Sequence, residues 1–154
     1  MTYLDELHTL ADETEAKVWT VVEHLDAGQI TRDEAIALIA AIVAVANRRA
    51  TSLASLGIAA DLTLATRTPV PVPAVSAPDD VRRLNAAAAT LLDRLEDTPD
   101  PQGRTRRLAR AEPLKRASEA RGQALAASEL VEGWTRSLNG DTCQLCTWWH
   151  RGGR

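Results

Sequence analysis

Two helix-terminating signals only a few residues apart constrain this chain most. Asp26-Ala27-Gly28 ends one apolar-periodic segment, with Gly28 free to take the left-handed conformation that follows a helix end, and Thr31-Arg32-Asp33-Glu34 is a capping box opening the next. Upstream, Thr2 is suited to cap a helix and Asp5 to favour its first turn, while Leu4, Leu7, Ala11, Thr14, Val18, Val21 and Leu25 recur at three- and four-residue spacing. Downstream the seam runs through Ile36, Ile39, Val43, Ala46, Ala50 and Leu53 to an expected end near Gly57. The sequence therefore predicts an antiparallel helical hairpin.

The second helix carries more apolar surface than one neighbour can cover. Leu38, Ile42 and Val45 lie off its main seam, so the uncharged run Ala35–Ala46 is apolar nearly all round. Ile36, Leu38, Ile39, Ile42 and Val45 are accordingly candidate protein-interface residues, to be covered by other chains or domains. The run is too short to span a bilayer and reads as a buried segment. No Phe and a single Tyr disfavour a thick globular core, and the Ala, Leu, Val and Ile that dominate suit narrow helix-to-helix contacts.

Between Thr66 and Pro78 the alternating prolines of Pro69-Val70-Pro71-Val72-Pro73 fix backbone angles and remove amide donors, predicting an extended strut or arm. A third helix is expected from about Asp79-Asp80, with Val81, Leu84, Ala88, Leu91 and Leu95 on its stripe, ended by Asp97–Pro101. A last long helix is expected from near Pro113 toward Leu138, before an Asn139-Gly140-Asp141 turn. No strand pattern is present. The expected fold is all-α: an elongated hairpin over 1–66, a Pro-rich arm over 67–78, further helix over 79–142, and a small Cys/Trp knuckle over 143–154.

Charge is distributed unevenly. Residues 1–66 hold ten acids against four Lys/Arg, whereas 103–121 hold seven Lys/Arg against two acids. Arg104, Arg106, Arg107, Arg110, Lys115, Arg116 and Arg121 form a basic segment that suits a phosphate backbone, an acidic protein surface, or plain solvation of a helix face. No aromatic side chain interleaves with these charges, which disfavours base stacking. The acids near the N-terminus fall where a secretory signal would need a basic and an apolar run, and two thiols without a disulfide framework fit a reducing cytoplasm. No phosphate-cradling loop, zinc-protease helix or nucleophile elbow is found, so an enzyme is not expected.

Both cysteines and three of the four tryptophans lie in the last twenty-one residues. Cys143-Gln144-Leu145-Cys146 lets two thiolates reach one tetrahedral metal, with His150 as a third candidate ligand; zinc is the cofactor this spacing suits. A structural site takes four ligands. The remainder is expected C-terminal to Arg154, with His8, His24 or another copy of the chain as other sources. The same pair is also compatible with inert buried thiols, or with redox chemistry, although no strand precedes it as a thioredoxin-like motif requires.

Arg110 through Ala111-Glu112-Pro113-Leu114-Lys115-Arg116-Ala117, then Gly133-Trp134-Thr135-Arg136, Cys143-x-x-Cys146 and Trp148-Trp149, together resemble the minor capsid, or head-morphogenesis, proteins of tailed phages of actinobacteria, a group similar to the Mu F-like family. The resemblance covers roughly residues 105–154. It implies a structural protein of a multi-subunit assembly, partnered by portal and other capsid proteins and by packaged DNA, residing in the virion and, during assembly, in the host cytoplasm, with no membrane association. A later His/Cys-rich segment usually follows in such proteins, and this sequence stops before it. The alternative function is a small zinc-knuckle regulator that binds nucleic acid through residues 104–121. Related head proteins can also be fused to protease or toxin domains, but no candidate nucleophile with a base at hand is present.

Overall fold

The structure, a computed structural model, describes residues 2–133. Four helices account for most of them: α1 Tyr3–Asp26, α2 Arg32–Thr66, α3 Val81–Leu95 and α4 Pro101–Ala126. Among the described residues there is no strand, as the all-α expectation requires.

The punctuation of the hairpin follows the sequence. Thr2 and Thr31 each accept the amide of the residue three positions on, and Asp5 and Glu34 reach back to the cap amides, so both capping boxes are closed. These hydrogen bonds hold the Asp5 and Glu34 carboxyls below the usual carboxylate range. Gly28 sits at φ 68 in the turn. Leu7, Ala11, Thr14, Val18 and Val21 of the expected α1 stripe are buried, while Leu4 in its first turn is 60% exposed.

The helices alternate in direction. Arg106 and Arg110 on the first half of α4 meet Glu15 of α1, whereas Arg121 near its end meets Tyr3, so α4 runs antiparallel to α1 and parallel to α2. Val18, Val21, Ile39, Val43, Leu84, Leu91 and Ala109 share one core contributed by all four helices. A second cluster, farther along α2, is built from Leu7, Leu10, Ala46, Ala50, Ala54, Ala117 and Ala120. Here methyl groups face methyl groups, and two helix backbones approach closely because nothing longer stands between them. Hydrophobic cover for α2 thus comes from the chain's own α1, α3 and α4.

Three boundaries differ from expectation. α2 does not stop near Gly57 but continues to Thr66, because Ile58 and Ala59 are buried beyond it. Gly57 lies inside the helix, and a Cβ there would stand 3.2 Å from Tyr3 Cδ2 and 3.3 Å from Arg121 Nη1. α4 begins at Pro101 rather than Pro113: Pro101 takes the first turn and Asp100 Oδ1 accepts the Gly103 amide at 2.8 Å. Pro113 is instead a buried interior residue of α4, its missing amide tolerated where its ring packs. The helix ends at Ala126, short of the expected run toward Leu138.

The Pro-rich stretch is no free arm. α2, with 35 residues, is about 52 Å long and α3, with 15, only about 22 Å, so α3 leaves much of α2 uncovered. Residues 67–80 run back over this distance without regular secondary structure, and Val75 packs on the Ala-rich cluster. The Val70 amide donates to Thr63 Oγ1 at 3.0 Å. By length and composition α2 is apolar enough to cross a bilayer, with an 18-residue window of mean hydropathy 1.5; in the bundle it is the helix on which the other three pack, with 44% of that window buried.

Candidate interaction surfaces

The basic segment lies on α4, and most of its charges are engaged by the chain itself. Arg106 Nε donates to Glu15 at 2.8 Å; Arg110 pairs with Asp12 and stands 3.7 Å from Glu15. Arg116 bridges Asp80 and Glu119, each at 2.6 Å, Lys115 stands 3.9 Å from Glu119, and Arg121 reaches Asp61 at 3.0 Å. Among the described residues Arg104 and Arg107 enter no ion pair; both line an open groove between α3 and α4 with Arg83, Thr90 and Glu112. The acidic first half and basic later half thus meet inside one bundle, as opposite charges on packed helices should.

The most enclosed of these pairs join the start of α3 to α4. Arg83 grips Glu112 at 2.6 Å and Asp80 at 2.6 Å, and Asp80 also takes Arg116. The Asp80 and Glu112 side chains are only 14% and 12% exposed. Burial pushes the Asp80 carboxyl up, but Arg83 and Arg116 outweigh it and hold the group below the usual carboxylate range. The Arg83 hydrogen bond does the same for Glu112, against burial of that carboxyl, and Glu112 with Asp80 raises Arg83 in turn. Asp80 occupies the N-cap position of α3, but its side chain caps no amide and is spent on arginines instead. Its role was visible in the sequence only as Asp80 three residues before Arg83.

Asn47 of α2 is buried beside this network. Its amide is close enough to Glu112 to favour the charged carboxylate, yet Nδ2 and Oδ1 find no hydrogen-bond partner of ordinary geometry in the protein. A pocket of about 200 Å³ lies alongside, lined by Ala44, Asn47, Pro78, Asp79 and Asp80.

The five candidate interface residues divide by face. Ile39 is 1% exposed and belongs to the chain's own core; Ile36 and Ile42 pack partly against it. Leu38 and Val45 are 45% and 49% exposed. With Leu56 they mark an outer stripe of α2 that neither α3 nor α4 covers. Beside it run two adjoining grooves between α1 and α2, of about 240 and 320 Å³, sharing Leu10 and Arg49.

Cys143, Cys146 and His150 lie outside the described residues. Within them, no group of three or more His, Cys, Asp or Glu side chains is placed to hold a metal ion. His8 and His24 are sixteen positions apart on α1, about 24 Å along its axis, and so cannot serve one site together. No protein-family model, curated protein or solved structure matches this chain.

Proposed function

We propose that this chain is a structural minor capsid protein of a tailed phage, acting in head assembly at the portal vertex. The observation that carries the proposal is the sequence Gly133-Trp134-Thr135-Arg136 followed by Cys143-x-x-Cys146 and Trp148-Trp149. A helical bundle that leaves aliphatic side chains exposed along one helix supports it, since such a surface serves packing between subunits. Portal and capsid proteins are the proposed partners, zinc the metal proposed to be held by Cys143, Cys146 and His150, and the virion the proposed location. Zinc binding would stabilise the C-terminal segment, because a site that does not exist in the unfolded chain adds its binding energy to folding.

Co-expression with the portal protein of the same genome tests the reading. A stable complex by size-exclusion chromatography, and the chain's presence in purified heads, are the expected results. Absence from both overturns it. The zinc component is tested by metal analysis of the protein under reducing conditions, in which Cys143→Ser should release the metal.

The zinc-knuckle regulator remains the alternative, and the internal ion pairs of Arg106, Arg110, Arg116 and Arg121 weigh against it. Within residues 104–121 only Arg104 and Arg107 lie outside such pairs, so that segment should add no more than about 2 to the log–log salt slope of DNA affinity. A slope several times steeper would favour the regulator.

A further inference from the structure

We propose that the groove between α3 and α4 is a docking site for an acidic amphipathic helix of another protein, whose carboxylates pair with Arg104 and Arg107. Both helices pack on α2 but stand apart from each other along this side, leaving an open groove of about 640 Å³. Its floor is apolar, with Leu91 only 5% exposed and Leu108 packed on the core shared by all four helices. Ala86 and Ala87 of α3 and Ala111 of α4 form its rims. Side chains this short let a third helix come close to both backbones.

Charge selects the occupant. Five of the seven cations in residues 104–121 meet a carboxylate of this chain, namely Arg106, Arg110, Lys115, Arg116 and Arg121. The two that do not, Arg104 and Arg107, line the same groove. They are one turn apart on α4, where Cβ atoms lie about 5–6 Å from each other and like charges destabilise a helix. The carboxylates nearest in sequence and in the groove are committed elsewhere. Glu112 is held by Arg83 at 2.6 Å, and Asp100, one turn before Arg104, accepts the Gly103 amide at 2.8 Å. Arg104 Nε is buried with no acceptor among the described residues, so the inner part of that side chain lies against the protein and does not extend into solvent. Thr90 spends its hydroxyl proton on the Ala86 carbonyl at 2.9 Å. Among the described residues the groove thus presents two unmatched positive charges over an apolar floor, and no unmatched negative one.

A nucleic acid would match the charges but not the floor, because a phosphate backbone has no apolar face to bury and the groove holds no aromatic side chain for stacking. A helix with Leu and Ala on one face and Glu along its border matches both. The inference does not rest on the proposed capsid role.

The probe is a synthetic acetylated peptide of about 18 residues, long enough to form helix, with Leu and Ala on one face and Glu along its borders. A counterpart carries Lys in place of Glu. Fluorescence anisotropy with the whole chain should give a dissociation constant of roughly 1–100 µM for the Glu peptide and binding about tenfold weaker or worse for the Lys peptide. Arg104→Glu combined with Arg107→Glu should reverse this preference, an outcome that loss of fold cannot mimic. Ala111→Gln, which fills the groove from an exposed position, should weaken the Glu peptide about fivefold or more without lowering the thermal midpoint. No binding of the Glu peptide at about 1 mM, or a double variant that keeps the original preference, overturns the proposal. Affinity indifferent to Ala111→Gln overturns the groove as the seat. A mixed-sequence DNA duplex bound more tightly than the Glu peptide and lost in the double variant assigns the arginines to phosphate; a dimer in sedimentation velocity lost in the double variant assigns the groove to a second copy. Either result also overturns the proposal.

Discussion

Arg121 of α4 lies over the ring of Tyr3 at the start of α1, its guanidinium carbon 5.2 Å from the ring centroid. One side chain thereby clamps the ends of two helices, while its Nη2 reaches Asp61 on a third. Gly57 makes the contact possible, since any larger residue would crowd both partners.

Tyr3 and Arg121 should therefore be coupled. A double-mutant cycle of Tyr3→Leu and Arg121→Ala, read from urea midpoints, is expected to give about 0.5–1 kcal/mol, the range of a partly exposed cation–π contact. Asp61 is 61% exposed and contributes little beyond this. Additive single variants would show that the stacked geometry does not persist in solution.

Acid should weaken the α3–α4 junction. Asp80 and Glu112 have folded-state pKa values below their unfolded values, so each contributes stability that is fully present above the unfolded pKa, about 4, and is lost as pH falls through the folded one. Stability should be flat from pH 7 to about 5 with respect to these groups and decline below about 4. Glu112→Gln should lower stability at pH 7 and flatten the acid limb; an unchanged acid limb would show that Glu112 does not contribute to it.

Asn47 should be replaceable at a gain. A buried amide with no hydrogen bond of ordinary geometry carries most of its desolvation penalty, its help to the Glu112 carboxylate ranking behind that of Arg83, and an apolar side chain of similar shape avoids that penalty. Asn47→Leu is expected to raise stability by about 1 kcal/mol, the adjoining pocket giving the branched end room. A lower urea midpoint would show that the amide finds a partner in solution.

The Ala-rich contact should resist enlargement. Ala50 is 0% exposed and shares a cluster with Ala117 and Ala120, so Ala50→Leu must separate α2 from α4 and is expected to cost about 1–3 kcal/mol. The same change at exposed Ala111 should stay within about 0.5 kcal/mol. Ile39→Ala, in the core shared by four helices, should cost about 2–5 kcal/mol, and Ile39→Asp should unfold the chain. Thermal melts followed by circular dichroism discriminate these cases, and equal effects at Ala50 and Ala111 would contradict the close approach.

By itself the sequence determined where α1, α2 and α3 begin and which stripe of α1 is buried. Thr2, Gly28, Thr31 and the three-four spacing act within a few residues, so their consequences survive without knowledge of the fold. The Pro-rich break and the start of α3 were legible for the same reason. Tertiary structure decided what those local rules left undetermined. Gly57 ends no helix because Tyr3 and Arg121 close over it, and Pro113 starts none because its ring is buried within one that Asp100 and Pro101 already began. The basic run was legible as charge but not as pairing: Arg106 finds Glu15 across ninety-one positions and Arg121 finds Asp61 across sixty. Periodicity likewise marked α2 as apolar nearly all round without saying which face its own chain would cover. Only the packing of α1, α3 and α4 around α2 buried Ile39 and left Leu38 and Val45 outside, because burial is a property of neighbours brought together by folding and not of the residue that is buried.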